Sequence, residues 1–225
     1  MYKLYSNEIV FRGHPDKVCD QISGAILNEC LTQDKHARAG IEVCGGKQKI
    51  FITGEITTNA KYNAVEIAQR VLNDVGYKGY YDIIDNIGKQ SLDISQGVDI
   101  GGAGDQGMMF GYACDATDQL LPTAQVILQK LAIEYDTLRQ QYPHWLFPDG
   151  KAQITGEYDE NFNLLKIKTF LVSYQNCEFN REVTDELIRK TAKNICNEYK
   201  IKFDEILINP TGKFFVGGFE GDSLS

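Results

Sequence analysis

A chain of 225 residues with 43% hydrophobic residues is long enough to bury one or two cores. Its formal charge of −8, with Lys and Arg scattered, excludes a nucleic-acid binder that works by neutralising phosphates. No stretch approaches the roughly eighteen uninterrupted apolar residues of a membrane span, and the first residues carry no apolar signal core, so a soluble, cytoplasmic protein is expected, without a membrane partner.

In chain order, Asp16 to Leu31 carries Val18, Ile22, Ile26, Leu27 and Leu31 at helical spacing, with Pro15 at the first helical position. Ala39–Cys44 and Lys49–Thr57 read as strands joined by a turn at Gly45-Gly46. Asn63 with Glu66 forms a capping-box pattern before an amphipathic helix that Gly76 ends. Asp82–Ile87 is a short strand, residues 88–107 read as loop, and the apolar run Met108–Cys114 reads as a buried strand. A helix follows from about Pro122 to Gln140, then an aromatic connector from Pro143 to Pro148. Strands at Ala152–Tyr158 and Leu164–Tyr174 flank a turn at Asp159-Glu160-Asn161. A helix over Glu182–Tyr199 and strands at Glu205–Ile208 and Lys213–Gly217 complete the chain. Hairpin followed by amphipathic helix occurs twice, which points to a duplicated α+β unit.

Six cysteines show no C-x-x-C pair and no metal-ligand spacing with the three histidines. Cys19 and Cys30 fall within a helical pattern and read as buried free thiols.

Gly102-Ala103-Gly104-Asp105-Gln106-Gly107 places one carboxylate and one amide among three glycines, directly before an apolar run. A backbone with so few side chains can approach a ligand closely, and Asp105 then suits a small cation such as a substrate ammonium; a solvated glycine turn is the plain alternative. The formal G-x-G-x-x-G match is not a dinucleotide fingerprint, because a loop precedes it and an extended run follows.

His14-Pro15-Asp16-Lys17 admits three readings. Pro and Asp at a helix start need no function. A chaperone J-domain loop is excluded, because no basic helix precedes the tetrapeptide. In the third reading His14 and Lys17 near a helix N-terminus grip phosphate oxygens and Asp16 offers a hard oxygen to Mg²⁺. Glu42 and Glu55 lie on the two strands of the first hairpin, where solvent-facing decoration is the default.

The wording and order of these segments carry more than any one of them. His-Pro-Asp-Lys at 14–17, Gly-Glu-Ile-Thr-Thr at 54–58, Gly-Lys-Gln-Ser at 88–91, Gly-Ala-Gly-Asp-Gln-Gly at 102–107 and Asn-Pro-Thr-Gly at 209–212 resemble S-adenosylmethionine synthetase (methionine adenosyltransferase). The resemblance implies an α+β fold of repeated small mixed or antiparallel sheets with helices on one face. It implies two of the family's three pseudo-repeats, an N-terminal one over residues 1–100 and a central one over 101–225, with the C-terminal repeat absent.

In that family the methionine sulfur attacks C5′ of ATP and expels triphosphate, which is then hydrolysed; Mg²⁺ and K⁺ are the cofactors. By matching motif, His14 would stabilise the leaving oxygen, Asp16 would hold Mg²⁺, Lys17 would sit beside the phosphates and Lys151 would be a further ATP contact. Glu42 resembles the K⁺-site glutamate. Glu55, Gln90 and Asp105 would hold methionine, Phe214 would stack near adenine, and Asp222 would contact the adenosyl or methionine part. The family's site lies between two subunits, so a homodimer is implied, or pairing with a full-length synthetase or a separate C-terminal segment. Arg12 stands where the family has an acidic residue, Lys213 where it has Arg, and the loop from Gln96 to Gly102 is shorter than the family's gating loop. With the third repeat absent, most of the phosphate grip goes too, and two alternatives stand beside the enzyme: a non-catalytic binding or regulatory homologue, and an incomplete gene product.

Overall fold

The computed structural model describes residues 3–90, 102 and 106–224. Its elements are β1 (Lys3–Val10), α1 (Pro15–Gln33), β2 (Arg38–Gly46), β3 (Lys49–Thr57), α2 (Ala64–Val75), β4 (Asp82–Gly88), α3 (Thr123–Gln141), β5 (Leu146–Tyr158), β6 (Leu164–Asn176), α4 (Arg181–Glu198), β7 (Phe203–Ile208), α5 (Gly218–Gly221) and β8 (Ser223–Leu224). They form two compact units, one of residues 1–17 and 112–218, the other of 18–111 and 219–225.

The fold is α+β, and its repeat lies in the topology. One sheet has the order β4-β3-β2-β8 and the other β7-β6-β5-β1. In each, an antiparallel hairpin (β2–β3 or β5–β6) is followed by a helix that returns the chain to a parallel third strand, as parallel neighbours require. In each, an antiparallel fourth strand closes the opposite edge of the hairpin.

In the 18–111 unit, Val18, Ile22, Ile26 and Cys30 of α1 and Ile67, Ala68, Leu72 and Val75 of α2 pack with Val43, Ile50, Ile52 and Ile56 of the sheet. The α2 start is as expected: Asn63 Oδ1 accepts from Glu66 N at 3.2 Å, and Gly76 ends the helix at φ 103°. In the 112–218 unit, Ile127, Leu131 and Tyr135 of α3 and Ile188, Ala192 and Cys196 of α4 cover Ala152, Ile154, Ile167, Phe170, Val172 and Tyr174. Burial pushes the Cys196 thiol up to about 12. Cys19 and Cys30 are buried free thiols, as expected.

Four local expectations are corrected. Lys3–Val10, unassigned by pattern, is an edge strand paired over eight positions with β5; its residues are mostly exposed, so it carries no alternation. Met108–Cys114 is not a strand: Met108, Met109, Phe110 and Tyr112 are exposed, with no neighbouring strand to pair them among the described residues. Lys213–Gly217 is irregular, because its backbone is held by the end of β6 and not by a ladder: Asn176 N donates to Phe214 O at 3.0 Å. The first hairpin turns at Lys47-Gln48, both at positive φ as in a type I′ turn, while Gly45 stays in the strand against the Phe219 ring.

Candidate functional site

In the 112–218 unit, three loops converge at one end of the sheet. Phe11 stacks on Tyr135 with ring centroids 4.5 Å apart, and its N–H donates to Gly150 O at 2.8 Å. The chain then turns tightly, His14 N donating to Phe11 O at 3.0 Å, and enters α1. His14 is thereby held against the strand that carries Lys151, whose register partner is Val10. The Asp16 N–H donates to His14 Nδ1 at 3.3 Å, which puts the ring proton on Nε2. The Asp16 carboxylate lies 3.7 Å from Nδ1 and is 45% exposed. Lys151 is half exposed, 3.9 Å from Glu8. The third loop carries Phe214 and is tied down at its end: buried Asp149, two residues before Lys151, accepts from Gly218 N at 2.7 Å. His14, Asp16, Lys17, Lys151 and Phe214 thus all belong to this unit.

Glu42, Glu55, Gln90 and Asp222 belong to the other unit. Gln90 Nε2 donates to Glu55 Oε1 at 3.2 Å, joining two sequence motifs. The parallel register of β3 and β4 brings this about, since Glu55 pairs with Gly88, two residues before Gln90. On the other edge of β3, Gly54 lets the strand lie close against β2: at φ 113° a Cβ there would lie 2.0 Å from Gly40 O. Gln90 Oε1 is buried with no partner among the described residues, so the pair offers a carboxylate oxygen and an amide oxygen to a donor-bearing ligand. Beyond β3 the chain is clamped by the end of α1. The Asp34 carboxylate accepts from Asn59 N at 2.8 Å, Thr58 Oγ1 at 3.0 Å and His36 N at 3.0 Å. Backbone hydrogen bonds, first from Asn59 and then from His36, hold its pKa below the usual carboxylate value.

Glu42 sits on β2 opposite Thr53 of β3, and Thr53 Oγ1 in turn accepts from Asn86 Nδ2 of β4 at 3.3 Å. Asp222 is not beside Glu55. The next residue, Ser223, pairs with Gly46 at the turn end of the hairpin, six residues and about 20 Å along β3 from Glu55. Asp105 lies outside the described residues, as do Ser91 and most of the shortened loop.

Sequence reasoning missed Asp34 and Asp149. The second left a faint signal, an acid between Pro148 and Gly150 in an aromatic segment. Arg12 has a structural explanation: Arg12 Nη1 donates to Asp136 Oδ2 of α3 at 3.4 Å.

The family model of the S-adenosylmethionine synthetase central domain matches residues 100–214, and that of the N-terminal domain matches residues 2–95. The chain belongs to the S-adenosylmethionine synthetase family. An S-adenosylmethionine synthase of Prochlorococcus marinus (strain MIT 9301) is 36% identical over 255 positions, covering 98% of this chain and 62% of that protein. Those of Fusobacterium nucleatum (36% over 233 positions, 99% and 61%) and Mesoplasma florum (39% over 242 positions, 99% and 63%) are similar. The chain therefore spans a little over three fifths of the length of these synthetases. Alignments longer than the 225 residues of the chain mean that the relatives carry extra residues within the matched region. Among the described residues no helix is long and apolar enough to cross a membrane, and no group of three or more His, Cys, Asp and Glu forms a metal cluster.

A lone exposed carboxylate still fits Mg²⁺, which is bound through one or two carboxylates, waters and substrate phosphates. Asp16 has that chemistry beside His14. Glu42 with Thr53 supplies hard oxygens of the kind K⁺ takes.

Proposed function

We propose that the chain takes part in forming S-adenosylmethionine from L-methionine and ATP, with methionine-binding groups in one unit and nucleotide-binding groups in the other. The Glu55–Gln90 hydrogen bond carries the reading. It unites two of the family's motifs into an acceptor-rich pair that matches a methionine ammonium, with Asp105 as a third group. On the other side, Phe214 stacks the adenine while Lys17 and Lys151 face the phosphates.

A thioether is a neutral nucleophile and needs no general base, so catalysis consists of alignment and stabilisation of the departing charge. Sulfur attacks C5′ as the bond from C5′ to the triphosphate oxygen breaks, and both electrons leave with that oxygen. His14 Nε2–H, oriented by the Asp16 backbone, donates to it. Asp16 would hold Mg²⁺ and Glu42 would hold K⁺, ions that would supply positive charge against the phosphates when bound. The triphosphate is then hydrolysed to phosphate and diphosphate.

The two sets of groups belong to different units, and Asp222 and Glu55 lie at opposite ends of one sheet. This supports a site completed by a second copy, a full-length synthetase or a separate C-terminal segment. The exposed apolar run from Met108 to Tyr112 is surface of the kind such a partner covers.

The test is to incubate the purified chain with methionine, ATP, Mg²⁺ and K⁺, alone and with the C-terminal third of a relative, and to assay S-adenosylmethionine. Product in either mixture supports the reading. Methionine or adenosine binding without product in both would make the chain a non-catalytic binding subunit.

A further inference from the structure

Gln175, near the end of β6, has no part in the site as read from the motifs, yet it touches the segment that carries Phe214. Its Nε2 donates to Phe215 O at 3.1 Å, and the neighbouring Asn176 N donates to Phe214 O at 3.0 Å. The strand end is itself fixed: Tyr135 OH donates to Phe147 O at 2.7 Å and lies 3.4 Å from Gln175 O. A Cβ placed on Gly217 would lie 2.9 Å from Gln175 Cδ, from Phe214 Cε2 and from Asp149 Oδ2 alike. Amide, aromatic ring and carboxylate therefore converge on one point, a notch that only a glycine leaves open.

The amide orientation follows from chemistry. The Phe215 carbonyl only accepts, so nitrogen must face it, and a flip would set two oxygens against each other. Oxygen is then the atom left over. Gln175 Oε1 is buried and accepts nothing from the described residues. A buried acceptor without a donor is costly, and a ligand that brings a donor relieves that cost.

We propose that Gln175 Oε1 is the purine-discriminating acceptor beside Phe214, taking a hydrogen bond from the 6-amino group of an adenine and opposing the 6-oxo group of hypoxanthine or guanine. The inference rests on the reading that Phe214 stacks the base. A site with a fixed acceptor rejects the oxo base more strongly than loss of one contact implies, because two acceptors then face each other.

The experiment measures adenosine and inosine binding by calorimetry on the full chain, its Gln175→Leu and Gln175→Asn variants, and Phe214→Ala. The unsubstituted chain is expected to bind adenosine about tenfold more tightly than inosine. Gln175→Leu should bring that ratio to about one. Gln175→Asn, too short to reach both partners, should do the same, and serves alone if circular dichroism shows the Leu variant unfolded. Equal weakening of both nucleosides with the ratio kept would reduce Gln175 to a structural tie and overturn the proposal, while adenosine binding beside Phe214 stood. No discrimination by the unsubstituted chain would also overturn it. No binding of either nucleoside, or binding untouched by Phe214→Ala, would instead sink the placement of the base and the proposal with it.

Discussion

The two units are built to one plan and closed in different ways. In the 112–218 unit the fourth strand, β1, pairs with β5 over eight positions. In the 18–111 unit the fourth strand, β8, pairs with β2 over two. What the second ladder lacks in length is supplied by a side chain. Phe219 is fully buried against Gly45, Tyr77 and Tyr81, and its carbonyl accepts from Lys47 N at 2.5 Å. Lys47 Nζ and Gln48 Nε2 then bind Glu220. A sheet edge can thus be closed by a long backbone ladder or by one aromatic plug with a few polar ties. The first spreads its stability over many residues and the second concentrates it in one.

That contrast is broken most directly at the plug. Phe219→Ala removes a buried ring and should cost about 3–5 kcal/mol. The loss should be confined to one unit: hydrogen exchange should speed up in β2, β3 and β4 while β5 and β6 keep their protection. Equal loss in both would show that the units unfold together. No single substitution in β1 is expected to do comparable harm to the other sheet, because its ladder shares the load.

The two sides of the site sharpen the comparison next. Glu55→Gln removes a charged acceptor and should weaken methionine binding by roughly 10- to 150-fold, the range of a charge-assisted hydrogen bond. Adenosine affinity, which the proposed function assigns to the other unit, should stay as it is. Phe214→Ala should do the reverse. Calorimetry with each ligand separately decides this, and a Glu55→Gln chain that lost both ligands would contradict the assignment of one ligand to each unit. Smaller again is Asn63→Ala, which deletes the α2 cap for about 1 kcal/mol and should lower the thermal midpoint without touching either affinity.

How far the sequence reaches follows the same division. The four long helices, both hairpins and the two parallel strands were legible because each buries one face and so repeats with a readable period. The edge strands were not: β1 is mostly exposed and carries no alternation, and β8 is two residues long, too short to show a period. The run at Met108–Cys114 misled for the opposite reason: its composition calls for burial, and within the described residues nothing supplies it. In the candidate site, His14, Asp16, Glu55 and Gln90 were legible as wording. Asp34, Asp149 and Gln175, which tie down the neighbouring segments, were not, since a hydrogen bond spanning 69 residues, as between Asp149 and Gly218, has no local signature. Gln175 in particular looks like any polar residue of an alternating strand until the irregular 213–217 segment is seen to lie against it.

The smallest expected effect is the response of one junction to acid. Asp34 accepts from two backbone N–H groups and one hydroxyl at the junction of α1 with the residues after β3. Its pKa in the folded chain lies below the usual 3.8, chiefly through the Asn59 backbone. A carboxyl depressed by folding contributes stability that is fully present well above its unfolded value and lost as pH falls through that value toward the folded one. The 18–111 unit should therefore loosen first around residues 58–61 as pH drops below about 4, and with them the end of β3 that presents Glu55. Asp34→Asn keeps the shape and one acceptor but abolishes the titration, so its stability should depend less on pH in that window. Urea midpoints at pH 3 and pH 6 measure the difference. The gap between them should narrow in the variant, and an unchanged gap would remove Asp34 from the account of how Glu55 is held.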